Sequence, residues 1–391
     1  MARRVSDRPL LVLNAGSSTL KFSLFDVSTA PAPHLQVHGA VEGIGVRPRF
    51  VVGDGAPHEA DAADHTGAFA VVARWLDESL DGARPIAVGH RVVHGGTRYA
   101  HPVIVDGDIL AALDALTPLA PLHQPQALAA IRGVRDHWPG LVQVACFDTA
   151  FHHGRGALVE AFALPQDLFE SGVRRYGFHG LSYEYLAGVL PTVAPNIADG
   201  RVILAHLGNG ASLCAMRARR SVETTMSFSA LDGLPMGTRV GDLDPAVVLY
   251  LISERGMSAS DVSTLLYKRS GLLGLSGVSS DVRDLLASPE PRAQFALEYF
   301  TFRIAREIGA LAGILGGLDG LVFTAGIGQH AAPVRAGVCA RLAWLGVSLN
   351  ETANQAHAPR ISVPDSPVGV YVIATDEEVV IARHTLRLIG V

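Results

Sequence analysis

The chain has 391 residues, 49% of them apolar, with a formal net charge of −5 and three cysteines. That length exceeds one average domain and implies two, each with its own core. Nothing in this mild acidity suggests a nucleic-acid surface. Cys146, Cys214 and Cys339 are too few and too far apart for a disulfide framework or a CxxC metal site, and they point to a reducing cytosol.

In chain order, MARRVSDRPL places two arginines before an apolar run too short for a signal peptide. Strands are expected at Leu10–Leu13, Phe22–Val27, Ile86–Val88, Val142–Phe147, Val202–His206, Leu321–Thr324 and Val368–Ala374. Helices are expected at Gly67–Leu80, Ile109–Leu113, Pro125–His137, Pro245–Glu254 and Ala293–Leu315. TAPAPH near residue 30 and SPEPR near residue 290 read as loops. The window Ile308–Ile327 is the most membrane-like, but Asp319 and its glycines divide it into helix, turn and buried strand. No membrane span is expected. Strands alternating with helices give an α/β fold.

A long-range echo adds detail. A strand meets the turn Asn14-Ala15-Gly16-Ser17-Ser18, and another meets His206-Leu207-Gly208-Asn209-Gly210, each followed by a further apolar strand. Two halves opening alike suggest a duplicated domain with a cleft between the copies.

Small-residue turns at strand ends let backbone N–H groups converge on an anion. Three exist here, the third being Thr324-Ala325-Gly326-Ile327-Gly328. Lys21, one of only two lysines, follows the first turn. No second glycine and no helix follow it, so the turn is not a P-loop. In GHRVVHGG, Arg91 and Val93 fall on one strand face, a pairing that suits a small carboxylate with a short alkyl tail, although a structural ion pair explains Arg91 equally. Asp148 ends a strongly apolar strand. His152 and His153 lack a matched third ligand, so no transition-metal site is expected. His179 lies between Phe178 and Gly180, and Arg239 lies in a Gly-rich loop before Pro245. Thr375-Asp376-Glu377-Glu378 supplies carboxylates suited either to Mg²⁺ or to a helix N-terminus. Two arginines, a lysine, glycine turns and carboxylates describe phosphoryl transfer to a small anionic acceptor, which needs positioning and positive charge rather than covalent help.

The motifs VLNAGSSTLKFSLFD, GHRVVHGG, LAPLHQP, CFDTAFH, RRYGFHG, HLGNGAS, GLPMGTRVGDLDP, SSDVRDL, FTAGIG and ATDEE follow one another in an order that resembles the acetate kinase family from Leu10 to about Ala382. The resemblance implies duplicated ribonuclease-H-like, actin- or sugar-kinase-like domains around an interdomain cleft. The expected division is 1–150, with the C-terminal helix at about 378–391 packing back on it, and 151–377 for nucleotide binding and dimerisation. The implied activity is reversible transfer of the ATP γ-phosphoryl group to acetate, giving acetyl phosphate and ADP. Mg²⁺ would assist, with Mn²⁺ as an alternative, in a cytoplasmic homodimer with no membrane or nucleic-acid partner. By position, Asn14 and Glu377 would hold the metal, and Ser17 and Lys21 would meet phosphates. Arg91 would clamp the acid, and Val93, Leu122 and Phe178 would wall its methyl group. Asp148, His179 and Arg239 would be catalytic, with Asp148 orienting groups rather than removing a proton. The nucleotide would lie on His206, Leu207, Gly208, Asn209, Gly210, Asp281, Val282, Arg283, Gly326, Ile327, Gly328, Gln329 and His330.

Several positions depart from the family pattern: Thr19, Gln124, Gln126, Leu181, Tyr183, Ala230, Val282, Gln329 and His330. Ala230, where a proline often stands, would widen the acyl site, so propionate is an alternative acceptor. Val93, rather than a smaller residue, argues for acetate. The changes at 282, 329 and 330 leave the choice of nucleotide open. An actin-like ATPase of the chaperone or filament kind would explain the phosphate loops but not Arg91, His179 and Arg239.

Overall fold

A computed structural model describes residues 9–28, 33–81 and 83–391. Most of the TAPAPH segment and the MARR terminus lie outside these residues. The chain divides into two compact units, one formed by Met1–Ala150 with Asp376–Val391, the other by Phe151–Thr375.

The first unit is built on an eight-stranded sheet. Its strands are β1 (Pro9–Ala15), β2 (Thr19–Asp26), β3 (His34–Glu42), β4 (Arg49–Val52), β5 (His58–Glu59), β6 (Val88–Val92), β7 (Val103–Ile104) and β8 (Gln143–Phe147), in the order β5-β4-β3-β2-β1-β6-β8-β7. Every residue of β1 is buried, as expected for a strand covered on both faces, which reads as a continuous apolar run. The helix His65–Ser79 covers one face. Asp64 caps it by accepting the Gly67 N–H at 2.9 Å, a cap worth about 1 kcal/mol. Its Ala68, Phe69, Val72 and Leu76 pack with Leu11, Leu13 and Phe22. The helix Glu377–Ile389 packs on β1, β6 and β8. It approaches so closely that a Cβ at Gly89 would stand 2.5 Å from Thr385 Oγ1 and 2.6 Å from Ile381 Cγ2. Glycine there lets the helix N-terminus, with Glu377 and Glu378, sit over the end of β6.

The second unit holds β9 (Arg201–Leu207), β10 (Ala211–Arg217), β11 (Arg220–Thr224), β12 (Gly320–Thr324) and β13 (Gly369–Val372), in the order β11-β10-β9-β12-β13. The two sheets share one plan. In each, a central strand (β1 or β9) pairs antiparallel with the strand that follows it. On its other side it pairs parallel with a later strand (β6 or β12), which pairs parallel with β8 or β13. The glycine-turn echo in the sequence is therefore a topological repeat, and the α/β duplicated fold is the observed one.

Two differences from expectation are informative. The strand expected at Ile86–Val88 runs instead over Val88–Val92, because its polar residues are paired. His90 Nε2 bonds Gln143 Oε1 at 2.8 Å, and Arg91 is bound as described below. Strands β3, β4, β5, β7 and β11 were not expected; they are polar or short segments, and β5, β7 and β11 lie at sheet edges. The window Ile308–Ile327 resolves into the end of the helix Pro291–Leu315, a Gly316-Gly317 turn, β12 and the start of the helix Ala325–His330. Among the described residues no helix is long and apolar enough to cross a membrane.

Candidate active site

In the first unit, Arg91 stands in register with Asn14 on β1 and Cys146 on β8. Its guanidinium meets Asp148 as a two-point fork, with Nε to Oδ1 at 2.9 Å and Nη2 to Oδ2 at 2.6 Å. Nη1 donates to Asn14 Oδ1 at 3.1 Å and lies 3.8 Å from Glu377 Oε2. Asn14 Nδ2 in turn donates to Glu378 Oε1 at 3.2 Å. Burial works against the Arg91 charge, but Asp148, Glu377 and Glu378 outweigh it and hold its pKa above the ordinary range. Burial pushes the Glu377 carboxyl up to about 7; Arg91 and Lys21 oppose that shift, while Asp148 and Glu378 add to it. Asn14, Arg91, Asp148 and Glu377 thus come together from four separate segments. Glu378 joins them, an addition that the ATDEE motif contained but the sequence assigned no role.

Lys21 faces Asn14 across the β1–β2 pair and is exposed, as is Ser17. The turn between these strands is tied down by Gly16 N–H to Thr19 O at 2.8 Å and by His65 Nε2 to Gly16 O at 2.7 Å. Val93 is buried and Leu122 half-buried. The intervening HGG turn is held by Gln124, which accepts the His94 N–H and donates to the carbonyls of His94 and Leu113. The departure at Gln124 is therefore a structural clasp.

In the second unit, His179 and His206 stack with ring centroids 4.2 Å apart and planes 17° from parallel. Each is anchored through Nδ1, His179 to Ser212 Oγ at 2.8 Å and His206 to Ser182 Oγ at 2.9 Å. A Cβ at Gly210 would stand 3.3 Å from His179 Nε2 and 3.8 Å from Arg239 Nη1. The glycine therefore opens a small space faced by an imidazole and a guanidinium. Arg239 is tethered rather than loose, since Nη1 donates to Ala230 O at 2.9 Å. Phe178 is buried, and its carbonyl accepts from His152 Nε2 at 2.9 Å. His152 is thus a structural group: burial, then the charge of Arg155, lowers its pKa to about 3.

A cavity of about 460 Å³ is lined by Gly208, Asn209, Asp281, Val282, Arg283, Gly326, Ile327 and His330 from the nucleotide set. Ser280, Leu286 and Ala331, which were not expected, complete the wall. Asp281 caps the helix Val282–Ala287 by accepting the Arg283 N–H at 2.8 Å. Gly328 and Gln329 turn inward instead. Their carbonyls accept from Arg335 Nη1 at 2.9 and 2.7 Å, and Arg335 is fully buried. Leu207 is a buried strand residue. A groove of about 570 Å³ in the first unit, lined in part by Glu59, Asp61, Asp64 and Glu78, contains none of the expected site residues.

Among the described residues, no three His, Cys, Asp or Glu side chains gather as a ready-made metal cage. The hard oxygens of Asn14 and Glu377 instead fit Mg²⁺ held chiefly by water and phosphate, the usual mode for that ion.

Residues 9–383 match the model of the acetokinase family. An acetate kinase of Rhodopseudomonas palustris strain TIE-1 is 54% identical over 97% of this chain and 98% of its own length. One from Rhizobium meliloti is 50% identical over 97% and 98%. Among solved structures, Porphyromonas gingivalis acetate kinase superposes with a TM-score of 0.87 at 35% identity, covering 98% of this chain and 100% of that one. A propionate kinase from Francisella tularensis gives 0.90 at 34%, covering 96% and 98%. Fold and relatives together define a phosphotransferase built from two ribonuclease-H-like sheets. The chain belongs to the acetokinase family.

Proposed function

We propose that the enzyme transfers the γ-phosphoryl group of ATP to acetate, reversibly, giving acetyl phosphate and ADP. The observation that carries this is the Arg91 fork. Asp148 and Asn14 fix the guanidinium at the end of β6 and use three of its five N–H donors. The remaining donors suit a small carboxylate, and the neighbouring Val93 suits a short tail. Acetate is already an anion, so no proton need leave it. Asp148 therefore holds Arg91 in orientation and is not a general base.

The donors around Gly210 suit the charge that develops on the transferred group. His179 Nε2 and Arg239 Nη1 face one small space, and such preorganised donors are the main resource of phosphoryl-transfer catalysis. The 460 Å³ cavity suits a nucleoside. Asn14 and Glu377 would hold Mg²⁺, which when bound neutralises phosphate charge. Propionate is the second reading, favoured by the small side chain of Ala230 and the similarity to a propionate kinase.

A cytoplasmic homodimer completes the proposal. The helix Pro245–Ser253 is largely apolar yet buries no residue, and Leu249 and Tyr250 are half or more exposed. A face of that kind is a natural contact with a second copy. All three cysteines are buried thiols outside any disulfide, in keeping with a reducing compartment. Trapping of the acyl phosphate with hydroxylamine tests the activity. Hydroxamate formed from acetate and Mg·ATP supports it, whereas ATP hydrolysis without any acyl phosphate would leave an actin-like ATPase.

A further inference from the structure

We infer that Tyr183 is a positioning residue for His179, acting through Ser212 to fix the imidazole as the tautomer that presents its Nε2–H to the transferring phosphoryl group. This rests on the role proposed above for His179.

Each group of a buried chain has a single proton to place. Tyr183 and Ser212 are wholly buried, so water does not supply alternative partners. Tyr183 Oη meets Ser212 Oγ at 2.5 Å, and the same Oγ meets His179 Nδ1 at 2.8 Å. Burial raises the Tyr183 phenol well above its ordinary value, while hydrogen bonds with the Ser212 side chain and the His206 main chain act the other way. Ser212 Oγ is the hydrogen-bond partner of the buried phenol oxygen, and a buried donor left unpaired is costly, so the phenol's single proton is directed to Ser212 Oγ. Ser212, now accepting, directs its own single proton to His179 Nδ1. Nδ1 is then an acceptor, and the ring proton resides on Nε2, the atom facing Gly210 and Arg239.

Two further features agree. His179 caps the helix Gly180–Val193 with φ +57°, in the left-handed region. A non-glycine residue is held there only when its surroundings over-determine it. The His206 ring is stacked on His179 and is anchored in the same way, Nδ1 to the Ser182 hydroxyl. Two parallel imidazoles 4.2 Å apart resist carrying two positive charges, which favours neutral rings with fixed donors.

The test uses the full-length enzyme, its Tyr183→Phe variant and its Ser212→Ala variant. Steady-state kinetics with acetate and Mg·ATP is paired with ¹⁵N NMR of the histidine rings. In the wild type, His179 should show a protonated Nε2 and an unprotonated Nδ1. Tyr183→Phe keeps the ring and removes the donor. It should lower kcat roughly tenfold, the lower end for loss of a group that orients a functional histidine, with both KM values unchanged and the His179 nitrogens shifted to a tautomer mixture. Ser212→Ala breaks the next link and should do the same, which keeps the test open if the first variant folds poorly. Wild-type kcat and an unchanged His179 tautomer in both variants would overturn the inference. If the wild type phosphorylates no acid, the proposed function falls, while the NMR tautomers still decide the relay on their own.

Discussion

At the scale of single residues, Arg91 and Asp148 separate stability from chemistry. Asp148 is almost wholly buried, and its partner is the Arg91 fork. Arg91→Ala strands that carboxylate, and breaking a buried pair from one side costs about 3–5 kcal/mol. Chemical denaturation should show that loss, and phosphorylation of acetate should collapse with it. Arg91→Lys retains a charge and should recover much of the stability. A lysine ammonium does not form the two-point fork, so kcat/KM for acetate should remain far below wild type. Recovery of both together would mean that the charge alone matters. These residues were legible in sequence because each is a charged side chain at the end of an apolar strand, whereas their pairing with each other is set by the fold. Tyr183, Ser212 and Ser182 were not, since their importance lies in hydrogen bonds between β9, β10 and the helix after His179, which no local spacing encodes.

At the scale of elements, the buried Arg335 ties the third glycine turn to the rest of its unit. It donates to the carbonyls of Gly328, Gln329 and Asn354, and to Asn354 Oδ1. Burial lowers its pKa, and its partners are dipoles rather than acids. The carbonyls of Gly328 and Gln329 belong to the last turn of the helix Ala325–His330, whose negative end favours a cation. Arg335→Met should leave these acceptors unpaired at a cost of about 1–3 kcal/mol for each buried group. It should raise KM for ATP and leave KM for acetate unchanged. Equal rises in both would show that the helix does not serve the nucleotide alone. The strand–glycine turn–strand echo was readable because glycine and serine between apolar runs mark a turn wherever they occur. The polar and short strands were not. In β3 the sequence HLQVHGAVE carries few apolar residues in its first half, and its pairing is dictated by β2 rather than by its own composition. The shift of β6 to Val88–Val92 has the same origin, polar residues made strand-compatible by partners on β8.

At the scale of the whole molecule, buried histidines set the response to acid. Burial lowers His90 and His94 from 6.5 to about 4 and His152 to about 3. The unfolded chain binds these protons near pH 6.5 and the folded one only near pH 4 or below. Their stabilising contribution is therefore complete above pH 6.5 and is lost as pH falls toward 4 and 3. Glu377, raised from 4.5 to about 7, acts in the opposite sense over 4.5–7, but it is one group against three. The urea midpoint should be lower at pH 5 than at pH 7, and His90→Gln should lessen the difference. An equal or higher midpoint at pH 5 would mean that the histidines are not held neutral. The exposed helix Pro245–Ser253 makes a second prediction at this scale. Leu249→Asp should shift a dimer toward monomer in sedimentation, and a wild type that sediments as a monomer would remove the dimer from the account.

The most direct test of the central claim is steady-state phosphorylation of acetate, propionate and butyrate by the purified enzyme with Mg·ATP, trapping acyl phosphate as hydroxamate. Acyl phosphate is expected from the short acids, with the highest kcat/KM for acetate, and is expected to be lost in Arg91→Ala. A preference for propionate would keep the carboxylate clamp and move attention to Ala230. ATP turnover with no acyl phosphate from any acid would contradict the account.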